Sequence, residues 1–212
     1  MSRVIRAELK APRAWWLLMA LATSIALYGL SFYVRGAAAF PPPLAPSLGA
    51  RPWGIFSHVL FGPIALVCGA LNFRHGLRVR RPLVHRRIGK TYVIAALATG
   101  IIGLYMSAYS YGGRVTHLGF AGLGVATVAA TFIAFQHARA RRWVQHRAWM
   151  VRSYALIFAA VTLRVELPLL AMAFRGFDPA YAIVSWLCWV PNLAVAEMIV
   201  RRTTAPMLPR AG

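Results

Sequence analysis

The side chains best suited to chemistry are six histidines: His58, His75, His85, His117, His137 and His146. Four of them stand at the starts of apolar runs. His58 and His117 open the second and fourth runs; His85 and His146 precede the third and fifth. Spanning helices alternate in direction, so His58 and His117 belong to one layer and His85 and His146 to the other. Neutral imidazoles facing each other across a helical bundle supply the two axial bonds of six-coordinate b-type haem iron. Haem also needs flat space beside its ligands. Gly62, Ala65 and Gly69 share a helical face with His58, Ala121 and Gly124 with His117, and Gly89 with His85. The pairs His58/His117 and His85/His146 are therefore the candidate metal and cofactor ligands, with Arg147 and Arg152 placed to meet haem propionates. His75 and His137 lie about 25 and 30 Å along the helix from His58 and His117. That is nearly the whole hydrocarbon thickness, which makes them solvated interfacial residues.

A second set of polar groups sits inside apolar segments. Arg164 and Glu166 fall near the outer end of the fifth run. Being two apart they point to different faces, so each needs a partner from elsewhere, and Asp178 is a possible mate for Arg164. Asn192, behind Pro191, falls near the middle of the sixth run, and Glu197 lies near its inner end within reach of Arg152. These residues read as helix-to-helix hydrogen bonding and neutralised charge, or as a polar pocket made by Arg164, Glu166 and Asn192. The chain holds only four Asp and Glu, which gives little support to a hydrolase built on paired acids. It has no GxSxG, HExxH or P-loop pattern.

The elements that position these residues follow from composition. Of 212 residues, 59% are hydrophobic and 13% charged, and mean hydropathy is +0.60. Six apolar segments are predicted near Trp15–Val34, Ile55–Phe73, Thr91–Tyr109, His117–Gln136, Trp149–Leu170 and Tyr181–Val200, each long enough to cross a bilayer. The expected fold is all-α: one integral membrane domain over 1–212, a six-transmembrane bundle with a four-helix core from spans two to five. Trp15–Val34 is longer than the core of a cleavable signal and is read as a retained helix. Residues 35–54, rich in Pro and Gly, read as an extended loop. Small residues recur every fourth position at Ala95, Thr99, Gly103 and Ser107 and at Gly122, Ala126, Ala130 and Ala134, the spacing of close helix contact in lipid. Cys68 and Cys188 fall at different depths, so no disulfide joins them. No CxxC, CxxCH or zinc spacing occurs.

The formal charge is +20. Such a balance suits nucleic acid, but here the basic residues occupy the gaps between apolar runs, as membrane topology requires, so no nucleic-acid partner is expected. With the N-terminus inside, nineteen of the 24 Lys and Arg lie on the inner side and five (Arg35, Arg51, Arg114, Arg164 and Arg175) on the outer. The expected location is a bacterial inner membrane with both termini cytoplasmic and an anionic lipid leaflet against the basic side.

Four strings carry a family resemblance: HRRIGKTY (85–92), HRAWMVRSYAL (146–156), FAAVTLR (158–164) and WLCWVPNLAVAE (186–197). They resemble a bacterial family of multi-pass membrane proteins grouped as domain of unknown function 2306, over about residues 55–200. The resemblance implies that His58, His85, Arg147, Trp149, Met150, Arg152, Arg164, Pro191, Asn192 and Glu197 are signature positions; His117 is not among them. The ligand arrangement, second helix with fourth and third with fifth, is also similar to that of diheme cytochromes of the b561 type. That similarity implies transmembrane electron transfer, often from ascorbate or a quinol, with a quinone or another redox partner. The leading expectation is thus a haem b electron-transfer protein. The alternatives are a haem-free protein that binds anionic lipid or a partner subunit, and a small transporter using the Arg164 pocket.

Overall fold

The structure, a computed structural model, describes residues 12–39 and 41–204. Arg3, Arg6, Lys10 and Arg210, which enter the charge count, lie outside the described residues. Among the described residues six helices are long and apolar enough to span a membrane: α1 (Arg13–Arg35), α2 (Pro52–Asn72), α3 (Pro82–Ser107), α4 (Arg114–Arg139), α5 (Trp143–Ala173) and α6 (Phe177–Thr203). No strand occurs among the described residues. A chain in lipid must satisfy its backbone internally, which leaves the helix as the natural element for such runs. The outer surface agrees: Ile101, Val125 and Leu169 stay 55–58% exposed in mid-span, an arrangement suited to lipid rather than water.

Helices α2, α3, α4 and α5 pack in succession, and α2 also meets α5. This closes a four-helix square in which α2 and α4 are diagonal, as are α3 and α5. Helix α1 packs outside it on α2, where Trp15 Nε1 donates to the Ala70 carbonyl at 3.0 Å. Helix α6 packs on α4 and α5.

Two stretches differ from expectation. Residues 35–54 are not extended: they form short helical turns at Gly36–Ala39, Pro42–Leu44 and Ala45–Ala50. Proline with its fixed φ suits the first turn of a helix, where its missing N–H costs nothing. For the same reason α2 starts at Pro52 and α3 at Pro82, each with proline in its first turn. Helix α3 therefore begins well before its apolar run, and His75–Arg80 forms a short helix before it.

The core of the square is polar at one level. The Tyr92 hydroxyl is hydrogen-bonded to Ser153 Oγ at 2.7 Å, and Ser153 Oγ to Thr131 Oγ1 at 2.7 Å. All three side chains are fully buried, so this chain of hydroxyls ties α3, α5 and α4 together. Tyr154 donates to the Leu66 carbonyl at 3.2 Å and links α5 to α2. Helices α3 and α4 come close together at Gly100 and Gly124, where an added Cβ on Gly124 would stand 3.1 Å from the Gly100 carbonyl oxygen. These two glycines lie beside the expected small-residue rows. Part of the α4 row turns instead to α6, where Gly122 faces Trp189.

Helices α5 and α6 are each interrupted, at Phe158 and at Cys188–Trp189. Pro191 explains the second break, since its ring clashes with the carbonyl four residues back. Asn192 sits against both interruptions. Its amide reaches the Cys188 carbonyl at 2.9 Å, Thr162 Oγ1 at 3.1 Å and the Ala155 carbonyl at 3.3 Å, while the Thr162 hydroxyl donates to the Cys188 carbonyl at 2.5 Å. Asn192 thus acts as glue between two broken helices.

Candidate functional site

A cavity of about 340 Å³ lies between α2, α3, α4 and α5 in the half of the bundle that holds few arginines. His58 enters it from the second turn of α2. Its ring lies against Gly103, where an added Cβ would stand 3.4 Å from Cε1 and 3.7 Å from Nδ1. Thr99, one turn along α3 from Gly103, lines the same wall, and Arg164 enters from α5. Among the described residues, His58 Nδ1, Thr99 Oγ1 and Arg164 Nε are all buried without a hydrogen-bond partner. A buried polar group without a partner is costly, and several around one void mark a place built for something else to bond.

Arg164 is the centre of this argument. Its Nη1 donates to the Ala160 carbonyl of its own helix at 2.8 Å, and its guanidinium lies 5.4 Å from the centre of the Tyr28 ring. Asp178, the expected mate, is elsewhere: its carboxylate accepts from the Tyr111 hydroxyl at 2.7 Å. That bond, with slight burial and the carboxylate's charge behind it, holds the Tyr111 phenol above its ordinary range. Glu166 does not join the cavity either. Two residues along a helix is more than half a turn, and Glu166 faces Cys188 of α6 with Oε2 buried and unpartnered. Among the described residues the cavity wall contains no carboxylate. The expected Arg164/Glu166/Asn192 pocket is therefore not assembled. Arg164 meets His58 and Thr99 instead, because Asn192 is committed to the helix breaks.

The histidine layers fare differently. His117 is on the diagonal helix from His58, as expected, but its Nε2 is bonded to the Ser110 carbonyl at 2.8 Å and it does not line the cavity. The cavity thus receives one imidazole of that pair. At the arginine-rich end, His85 and His146 occupy the first turns of α3 and α5 and are electrostatic neighbours, with Arg78 beside His85. His146 Nδ1 is bonded to the Ala134 carbonyl at 2.8 Å. His85 Nδ1 is buried without a partner, as are both side-chain polar atoms of Asn72. Arg147 is exposed, and Arg152 donates to Glu197 Oε2 from Nε at 3.0 Å and Nη2 at 2.6 Å. His137 is partly buried; the side chain of His75 lies outside what the structure describes. Among the described residues no group of three or more His, Cys, Asp or Glu gathers as a metal site. Cys68 and Cys188 are free thiols.

Sequence reasoning missed Thr99 as a site residue, and with it Asn72 and the Tyr92–Ser153–Thr131 chain. The available signal was weak: hydroxyl and amide side chains inside apolar helices, which more often bond their own backbone.

Together these features define a membrane protein that is all-helical with six spans over its described residues, and that has a cation-bearing cavity in its four-helix core. Residues 55–200 match the family described as predicted membrane protein DUF2306, and the chain belongs to that family. No curated protein and no solved structure matches it.

Proposed function

We propose that the protein binds an anionic ligand in the cavity between α2, α3, α4 and α5, for recognition or passage across the membrane. One observation carries this reading: Arg164 Nε, His58 Nδ1 and Thr99 Oγ1 are buried near one another without hydrogen-bond partners among the described residues, and the described wall of the cavity beside them contains no carboxylate. Intramembrane cations pair with something, and a bound anion would complete the site. The excess of Lys and Arg supports an inner-membrane location with the arginine-rich end and both termini in the cytoplasm. The cavity then lies in the outward half. The basic cytoplasmic face would meet anionic lipid headgroups or a partner subunit. The test is thermal unfolding of the purified protein with carboxylates, inorganic phosphate and uncharged analogues. A saturable stabilisation by anions that Arg164→Met removes supports the reading; an equal response to uncharged analogues refutes it. Reporter fusions at each terminus check the topology.

A second reading has its own support, at the other end. Metal-bound imidazoles commonly donate their second N–H to a backbone carbonyl, and His146 Nδ1 has such a bond to Ala134. His85 is its electrostatic neighbour. A haem b held by this pair would supply one-electron chemistry, with a quinone or other redox partner. Protein from haem-replete cells with a Soret band that shifts on reduction and disappears in His146→Ala would establish it; a colourless preparation would remove it.

A further inference from the structure

The cavity continues well past Arg164. Its wall runs from Ile55 to Gly62 on α2, from Thr99 to Ser107 on α3 and from Leu156 to Arg164 on α5, with Arg51, Tyr109, Ser110 and Tyr111 beyond the helix ends. Eight residues of helix rise about 12 Å, and the residues beyond the ends lengthen that, so the void is a shaft rather than a cup. Its chemistry changes along that length. The mouth carries Arg51, whose guanidinium lies 3.5 Å from the centre of the Tyr109 ring, together with Ser110 and Tyr111. The middle carries His58, Thr99 and Arg164. Leu123 and Gly124 stand near the same level, where Gly124 meets Gly100 and Leu104, and the Thr127 hydroxyl is already bonded to the Leu123 carbonyl at 2.7 Å. Deeper still the walls are Leu156 and Ile157, and this apolar end offers a ligand no free polar group among the described residues. It is also open: Gly62, one turn deeper than His58 on the same face of α2, has nothing within 4 Å of the position a Cβ would take.

From this polarity we infer that the ligand is a single-chain carboxylate amphiphile of medium length. Its carboxylate sits at Arg164 with His58 and Thr99, and its alkyl chain fills the shaft beside Gly62. A free inorganic anion would satisfy the cation but leave the apolar end empty. An uncharged alcohol would fill that end but leave the guanidinium without its anion. The inference rests on anion binding in this cavity, proposed above, and adds the chain to it.

The test compares acetate, octanoate and octanol on the full-length protein in a neutral detergent, read by the concentration that half-saturates the thermal stabilisation. Octanoate is expected to act at less than one-tenth of the acetate concentration, because each methylene moved out of water adds to binding. Octanol is expected to give no saturable shift. Gly62→Leu fills the shaft and is expected to raise the octanoate value about tenfold while leaving acetate unchanged; Arg164→Met removes both responses. If Arg164→Met does not fold, Gly62→Leu still decides the matter. Equal potency of acetate and octanoate, in wild type or with Gly62→Leu having no effect, overturns the chain while the anion site stands. A response to octanol equal to that of octanoate, or no response to any of the three, overturns both.

Discussion

Gly62 and Gly69 lie two turns apart on one face of α2, and the structure uses them in opposite ways. Beside Gly62 there is open space. At Gly69 a Cβ would collide with the rings of Tyr154 and Tyr92, which fill the notch that the glycine leaves. The first glycine makes a cavity and the second makes a joint. The contrast extends to the two halves of the bundle. In the arginine-poor half, His58 Nδ1, Thr99 Oγ1 and Arg164 Nε are buried without partners among the described residues, on side chains that line a void. In the middle of the square, Tyr92, Ser153 and Thr131 satisfy one another with no void between them. A small residue in a spanning helix thus marks close approach or empty space, and what stands opposite decides which.

The sharpest way to break this contrast is at Gly69. Gly69→Leu must displace two packed rings and is expected to destabilise the protein by about 3 kcal/mol, at the upper end of overpacking costs, measured by denaturant unfolding in detergent. Gly62→Leu should cost far less, about 1 kcal/mol or below, which is the restraint on a residue that precedes proline. Equal losses at the two sites would mean that the void beside Gly62 is not there. Arg164→Met comes next. It should weaken anion binding about a hundredfold, as expected for loss of charged hydrogen bonds. It should also leave the ligand-free protein as stable as before or more so, because no acid loses its partner. Ser153→Ala, which cuts the hydroxyl chain at its centre, should lower stability by about 1–2 kcal/mol without changing the half-saturating anion concentration. The smallest effect is expected from His117→Ala: its ring bonds Ser110 rather than the cavity, so anion binding should be unchanged. A large loss of binding there would reunite His117 with His58 and revive a two-imidazole site in that half.

Much of the scaffold was legible in the chain. The six spans, the four-helix core and the family followed from runs of apolar residues and from four short strings, because lipid leaves a spanning chain few options. The reach of Glu197 to Arg152 was also readable, since both lie at one level on helices near each other in sequence. The site was legible only in part. His58 and Arg164 stood out as polar groups in apolar surroundings, yet their meeting did not, because it depends on which way two helices are turned. The match of Arg164 with Asp178 looked plausible from depth alone, but Tyr111 holds that carboxylate.

The sequence by itself determined how many times the chain crosses, where the charges gather and which residues share a helical face. These are consequences of a fixed helical rise and of the free energy of transfer from water to hydrocarbon, and both act locally along the chain. Only the tertiary structure decided which polar atoms were satisfied. Hydrogen bonds act over about 3 Å, and whether Asn192 reaches a broken helix, His117 a loop carbonyl or Arg164 a cavity is settled by helix rotation and packing that no local pattern encodes.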